Sequence, residues 1–364
     1  VFLQEDISGV KDTGFEQQAR STEDSIKSFG FNAGWQVTDT LNLALDVHSS
    51  EAESTPTGAF GTSSILVSMG APVVTSHSLD LRRNGFPIQN ITIDDSGASG
   101  RGDFGGTNNN GILDVGDLGS QVARTIASGQ TTSIDQFNLD GSLEFDFGTF
   151  DFGVDYRSLE MNQTRIQTQQ TLGNWGIENP GDIPADLIET VCLSCAFSDI
   201  DTYATGHSLT AFRGDAGELY AALSPFYASR GNAVTENGNE NNTVQEDSTA
   251  LYVQFNHDGE IAGMTYNVLA GVRWETTDVT SSAQLVPSAE IIWQSDNDFT
   301  ITTADIVEPL RQEGSYDNVL PSIDFSLDVS DDIKARASYS WTIGRPDYGY
   351  LFVTDDADTP PRPT

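Results

Sequence analysis

The sequence predicts an all-β chain: an antiparallel transmembrane β-barrel, present in part and carrying long extracellular loops. Three observations predict it. Long runs alternate residue by residue between an apolar, aromatic set and a polar or charged set, as in Phe29, Phe31, Ala33, Trp35 and Val37 against Ser28, Gly30, Asn32, Gly34 and Gln36. A soluble antiparallel sheet alternates too, but it turns its apolar face to a core and its charges to bulk water. The runs are joined by tight turns at one end only, while connections at the other end span dozens of residues. That asymmetry fits a barrel whose lipid-facing and lumen-facing residues alternate. Aromatics also fall at two levels. Trp35, Phe147 and Phe150 stand at the tight turns, and Trp274, Tyr339 and Trp341 lie roughly eight to ten residues further along. At ~3.3 Å rise and ~45° tilt, about nine residues climb roughly 21 Å, close to the ~25 Å apolar band between aromatic girdles.

Composition bounds the class. The 364 residues carry a net charge of −37, with only 17 Lys and Arg, so nucleic acid is excluded as a partner, because neutralising phosphates requires cations. Mean hydropathy is −0.31, and no run approaches the ~18 consecutive apolar residues of a membrane helix. Barrel strands are only half apolar and leave just such a weak signal. The 34 glycines, with abundant Asn, Ser, Thr and Asp, suit turns and polar loops. The chain opens at Val1 in mid-pattern and closes on Pro-rich Asp358-Thr359-Pro360-Pro361, so it reads as a fragment or mature piece of something larger.

Eight strands are expected, near 24–37, 41–50, 132–147, 150–160, 248–257, 264–276, 317–329 and 333–344. The first pair turns at Thr38-Asp39-Thr40 and continues the apolar face with Leu41, Leu43, Leu45 and Val47. The second turns at Gly148-Thr149, a leading glycine that suits a type II′ hairpin. That register sets Phe145 across from Phe152, Gly141 across from Tyr156, and Asp140 across from Arg157 as a lumen ion pair. A one-residue slip would turn carboxylates toward lipid. The third hairpin, 248–276, turns around Asp258-Gly259. The fourth, 317–344, turns at Ser330-Asp331-Asp332 and sets Asp328 opposite Lys334, a second lumen ion pair. Connections 51–131, 161–247 and 277–316 would be extracellular, with room for hairpin extensions of their own. Both ends of the chain lie on the long-loop side, which fits a piece of a wider barrel.

The later strands carry family landmarks. Tyr316-Asp317-Asn318-Val319-Leu320-Pro321-Ser322-Ile323-Asp324, then Ile333 through Ser340 and Gly344-Arg345-Pro346-Asp347-Tyr348, resemble the late barrel strands of proteobacterial TonB-dependent outer-membrane receptors. Asn267-Val268-Leu269-Ala270-Gly271-Val272-Arg273-Trp274-Glu275-Thr276 and Phe152-Gly153-Val154-Asp155-Tyr156-Arg157 resemble two further strands of that group. The landmarks run from about residue 136 to 350. The resemblance implies a 22-stranded barrel in the outer membrane of a Gram-negative bacterium, in contact with outer-membrane lipid. It also implies an N-terminal plug domain and energisation by the TonB–ExbB–ExbD system, for uptake of a scarce nutrient. The sequence shows neither plug nor TonB box, so any transport is that of the parent receptor.

Ligand contacts are expected in the loop 161–247, where Trp175, Tyr203, Phe212, Arg213, Tyr220 and Tyr227 gather, with Phe226 and Arg230 nearby. Aromatic platforms with scattered polar groups suit sugars or aromatic chelates, and packing of the loops against each other would use the same residues. The acidic balance leans toward a neutral oligosaccharide or a cationic ligand, since an anionic ferric siderophore prefers a basic mouth. Cys192-Leu193-Ser194-Cys195 has zinc-like spacing, but with no second pair and four scattered His a disulfide is favoured over a four-ligand site. No metal site and no cofactor is expected. One alternative stays open: Asn108-Asn109-Asn110-Gly111-Ile112-Leu113-Asp114, with Asp117, has oxygen ligands suited to calcium in an extracellular loop, although it lacks the full spacing and terminal Glu of an EF-hand. Arg101-Gly102-Asp103 reads as a coincidental tripeptide in a Gly-rich loop. Asp146, Asp151 and His207-Ser208 form no catalytic constellation, so an enzyme is not expected. A passive porin-like channel and a secreted β-rich adhesin remain the alternatives to a receptor-transporter.

Overall fold

The computed structural model describes residues 2–7, 11–81, 88–96, 106–173, 178–193, 195, 210–285, 288–295, 298–304 and 308–353. In chain order the strands begin with β1 (Phe2–Asp6), β2 (Thr13–Arg20), β3 (Thr22–Gln36), β4 (Leu41–Pro56), β5 (Ser64–Ala71), β6 (Val74–Asp80) and β7 (Ile88–Ile93). Then come β8 (Gly119–Phe145), β9 (Gly148–Thr171), β10 (Glu189–Cys192), β11 (Thr210–Arg213), helix α1 (Ala216–Ala228) and β12 (Thr235–Ile261). The last are β13 (Met264–Leu285), β14 (Ser288–Ser295), β15 (Asp298–Thr303), β16 (Glu308–Ser330) and β17 (Ile333–Ser340). The chain divides into two compact units, one made of residues 24–54, 129–164 and 239–364, the other of 1–23, 55–128 and 165–238.

The first unit is an antiparallel sheet in the order β17-β16-β13-β12-β9-β8-β4-β3. It is a partial barrel: among the described residues β3 and β17 remain edges. Registers align the apolar sets into rows across neighbouring strands. Leu45 faces Leu139 and Val47 faces Phe137. Leu251 faces Trp274 and Val253 faces Val272. Val268 faces Phe325 and Trp274 faces Val319, and Ile323 faces Tyr339. These rows look outward. Phe29, Phe31 and Trp35 are 69%, 53% and 65% exposed, and Val319, Ile323, Tyr339 and Trp341 are exposed as well. On the opposite face Glu246, Ser248, Glu275 and Thr277 are buried. A sheet that hides carboxylates and displays Phe, Trp and Ile reverses the ordering of a soluble protein and matches that of a barrel in lipid.

The strands differ in detail from the sequence expectation. The second hairpin turns at Asp146-Phe147, two residues earlier than Gly148-Thr149. In consequence Phe152, not Tyr156, lies over Gly141, where a Cβ would overlap its ring, and Ser142 Oγ donates to Asp151 Oδ1 at 2.7 Å. The third hairpin turns at Ala262-Gly263 rather than around Asp258-Gly259, which pairs with Tyr266 inside the ladder. Ala262 (φ 52°) and Gly263 (φ 79°) both take left-handed backbone, as a two-residue primed turn needs. Strands β8, β9, β12, β13 and β16 also run well past the predicted ends, and β13 pairs with β16 as far as Leu285 and Glu308. Those extensions carry little apolar alternation, which is why the sequence pattern does not announce them.

The second unit is folded from residues 1–23 and from most of two stretches expected to be loops, 51–131 and 161–247. Here β2 pairs with β5, and β5 with the first part of β8. Strands β1, β6 and β7 form a small sheet, and β10 pairs with β11. Helix α1 opens on Asp215, whose side chain accepts from the Glu218 N–H at 2.9 Å, an N-cap that satisfies an otherwise orphaned donor. Leu219, Leu223 and Tyr227 repeat at helical spacing and are buried with Val67, Met69, Val73, Leu118, Leu172 and Phe212. Each such side chain contributes about 1.5–3 kcal/mol by burial. That core is what makes this part of the chain a domain rather than a loop.

Candidate functional site

The inner face of the partial barrel is organised around two arginines. The Arg345 guanidinium, on the segment after β17, reaches Glu246 Oε1 at 3.0 Å through Nε and Glu275 Oε1 at 2.5 Å through Nη2. Nη2 also donates to Ser248 Oγ at 3.3 Å, and Ser248 and Thr277 share a hydrogen bond of 3.0 Å. On β13, Arg273 Nη2 bridges Asp155 Oδ1 at 3.1 Å and Glu275 Oε2 at 3.0 Å. Strand alternation delivers Asp155, Glu246, Ser248, Arg273, Glu275 and Thr277 to one face, Arg345 reaches them from the segment after β17, and each carboxylate is held by a cation. Nearer the tight turns, the wall offers a cavity of about 620 Å³ lined in part by Asn42, Ser142, Asp151, Tyr252 and Gln254.

The expected ion pairs fare differently. Lys334 Nζ lies 3.2 Å from Asp328 Oδ1, across the β16–β17 ladder. Asp140 does not take Arg157; it accepts from the Tyr252 hydroxyl at 2.8 Å. The earlier turn moves Arg157 along the ladder, away from Asp140, and brings Gly153 beside it.

The aromatic cluster expected to contact ligand is largely spoken for. Phe212 is buried edge-on against Phe15, with ring centroids 4.9 Å apart. Tyr227 is buried, and its hydroxyl donates to Asp182 Oδ2 at 2.5 Å. Tyr220 is half-buried against the core and meets the exposed Phe60 ring at 5.3 Å. Arg213 is exposed and paired with Glu189 at 2.7 Å. Trp175 and Tyr203 lie outside the described residues, as do Arg101-Gly102-Asp103 and His207-Ser208. Cys192 and Cys195 are joined by a disulfide.

Asp182 is the polar centre of this unit. It accepts from the Ser120 N–H at 2.9 Å, from Ser120 Oγ, from Tyr227 and from Asn179 Nδ2 at 2.9 Å. Burial pushes its carboxyl above the usual carboxylate range, against the pull of those donors. Burial and the neighbouring Asp182 likewise push the Tyr227 hydroxyl up. In the stretch 106–118, Asp95 Oδ2 accepts from the Asn110 and Gly111 N–H groups at 2.7 and 2.9 Å. Asp117 Oδ2 accepts from the Asp114 N–H at 3.1 Å. Among the described residues, no group of three or more His, Cys, Asp or Glu side chains is placed to hold a metal ion.

The family model of the TonB-dependent receptor-like β-barrel matches residues 73–363. The chain belongs to that family. No curated protein and no solved structure matches it. TonB-dependent receptors are outer-membrane transport proteins of Gram-negative bacteria, not an enzyme family, and they work with the TonB system and a ligand. Among the described residues no helix is long and apolar enough to cross a membrane, and in such a receptor the crossing is made by strands.

Two features of this TonB-dependent receptor barrel escape sequence reasoning. Arg345 stands in a recognisable Gly344-Arg345-Pro346 landmark, yet its partners lie 70 and 97 residues away for Glu275 and Ser248, and nothing local announces them. Asp95 joins the 106–118 stretch from a different part of the chain. Its only advance signal is the Asp94-Asp95-Ser96 turn chemistry, in which Asp94 accepts from the Ser96 N–H at 2.9 Å.

Proposed function

We propose that this barrel serves energised uptake of a scarce nutrient, an oligosaccharide or a metal chelate, in concert with a plug domain and the TonB–ExbB–ExbD system. One observation carries the reading: an apolar outer face backed by a polar inner wall whose half-buried arginines, Arg273 and Arg345, are already engaged by Asp155, Glu246 and Glu275. A wall with Arg273 and Arg345 so committed, in a chain of net charge −37, suits a neutral oligosaccharide better than an anionic ferric chelate. The loop aromatics support this less than expected, because Phe212 and Tyr227 serve the domain core.

The test is uptake of radiolabelled neutral oligosaccharides by cells expressing the parent receptor, with and without a protonophore and with TonB deleted. Energised import predicts a fall to background in both cases. Flux indifferent to both would establish a passive porin-like channel instead. TonB-dependent uptake of ferric chelates but of no oligosaccharide would keep the energised mechanism and overturn the nutrient class.

A further inference from the structure

At one corner of the second unit β2 ends at Arg20, β5 begins opposite it at Ser64, and α1 begins at Ala216. Here lies a pocket of about 280 Å³ lined in part by Arg20, Ser21, Thr57, Ala59, Asp215 and Gly217. The turn Ala59–Thr62 borders it, with the Thr62 N–H donating to the Ala59 carbonyl at 3.3 Å. Its two central residues, Phe60 (φ 60°) and Gly61 (φ 71°), both take left-handed backbone. Such a turn favours Asn, Asp or Gly at the first of these positions, and a bulky ring there is strained. Phe60 is 62% exposed, so burial of its ring offsets little of that strain. The ring meets Tyr220, one helical turn from Gly217, with 5.3 Å between centroids and 67° between planes. A strained residue that folding does not require points to a role in holding a ligand.

We propose that this corner is a sugar-binding subsite, with Phe60 and Tyr220 as its apolar platform and the pocket as the seat for a ring's hydroxyls. The inference rests on the reading of the parent receptor as an oligosaccharide importer. A sugar ring has an apolar C–H face and a rim of hydroxyls, each of them both donor and acceptor. Its complement is an aromatic surface beside a few mixed polar groups. The lining supplies both kinds. Arg20 is exposed, and among the described residues no carboxylate is ion-paired to it. The Ser21 and Thr57 hydroxyls share one hydrogen bond of 2.9 Å and keep capacity for more. Asp215 caps α1 through Oδ1, and its second oxygen adds an acceptor. Gly217 keeps the space open: a Cβ there would stand 3.6 Å from Ala59 Cβ and 3.1 Å from Asp215 Oδ1. One cation and one carboxylate in the lining leave no net charge, which suits a neutral ring. The volume falls at the lower end of small-molecule sites, about 300 Å³, so the pocket takes one sugar residue and leaves the rest of the ligand outside.

The experiment is isothermal calorimetry of the purified parent receptor in detergent against a panel of neutral gluco-, manno- and galacto-oligosaccharides. The best binder is then titrated into Phe60→Gly, Phe60→Trp and Arg20→Met, and the urea midpoint of each variant is recorded. Phe60→Gly should weaken binding about tenfold, as loss of an aromatic contact does. Its midpoint should hold or rise, because glycine relieves the left-handed strain. Phe60→Trp should keep the affinity, and Arg20→Met should lower it about tenfold, as loss of a charged donor does. Full binding by both Phe60→Gly and Arg20→Met overturns the subsite and leaves the oligosaccharide reading standing. No binding of any oligosaccharide by the wild type overturns that reading and the subsite with it. A Phe60→Gly midpoint that falls together with its binding, while Arg20→Met binds in full, makes Phe60 structural and likewise overturns the subsite.

Discussion

Arg345 Nη2 lies 2.5 Å from Glu275 Oε1, and the same guanidinium holds Glu246 at 3.0 Å. Both glutamate side chains are nearly buried, at 6% and 4% exposure. Removing the cation takes the salt bridge from buried Glu246 and leaves Glu275 to Arg273 alone. Arg345→Met should destabilise the barrel by about 3 kcal/mol, the low end of the range for breaking a buried pair, since the arginine keeps some contact with water. The check is the urea midpoint of the detergent-folded chain. Adding Glu246→Gln and Glu275→Gln should restore much of the loss, which a merely steric role for Arg345 would not allow.

The outward rows make a second prediction. Lysine at Phe31, Leu43, Phe325 or Leu327 should cost about 2–4 kcal/mol each near the membrane midplane and block assembly into the outer membrane. Asn32→Lys, on the inner face beside Asp46, should assemble normally. Normal assembly of all four outer-face variants would mean those residues never meet lipid, as a secreted adhesin requires.

A third concerns glycine. At Gly148 (φ 153°) a Cβ would overlap the Asn256 carbonyl on the neighbouring strand and stand 3.3 Å from His257 Cα. Backbone cannot swing aside as a side chain does. Gly148→Ala should therefore destabilise by about 1–3 kcal/mol, whereas Gly34→Ala, with nothing within 4 Å, should change the midpoint by no more than about 1 kcal/mol.

A fourth follows from Asp182. Its folded pKa lies above the ordinary 3.8, so the folded unit binds that proton more tightly than the unfolded chain does. The resulting stabilisation is complete below about pH 3.8 and is lost as pH rises through the folded value. Tyr227→Phe removes a donor to the charged form. It should cost about 1.5–3 kcal/mol once Asp182 is ionised and distinctly less in acid. Hydrogen exchange of the α1 amides, corrected for intrinsic rates, reads this unit directly, and a penalty that does not change with pH would refute the assignment.

The sequence made the two faces of the sheet legible because side-chain direction repeats every second residue, so Phe29, Val253 and Ile323 announce themselves. It did not make the register equally legible, for the same reason. Moving a turn by two residues, from Gly148-Thr149 to Asp146-Phe147, leaves every face unchanged and every pairing altered. Asp140 consequently finds Tyr252 and not Arg157. The longer strands were hidden because many rungs past the predicted ends, such as Ser281 beside Gln312, are polar on both strands. Phe212 and Tyr227 were legible as a cluster of aromatics but not as a core, since residues packed with them, Val67, Met69 and Leu118 among them, come from segments far earlier in the chain. The Arg345 contacts belong to the same class: they exist only once the topology has brought β12, β13 and the segment after β17 together.

The two free edges of the sheet bear on how such a molecule enters a bilayer. Strands β3 and β17 each hydrogen-bond on one side only among the described residues. Hydrocarbon supplies no substitute donor or acceptor, and each backbone group left open there costs several kcal/mol. A half-closed wall is therefore least at home in the very medium its apolar face is built for. The seam at both margins must be zipped to further strands before, or as, the Phe and Trp rows reach the lipid. Order of insertion is thus set by the peptide backbone, while the greasy side chains decide only the destination.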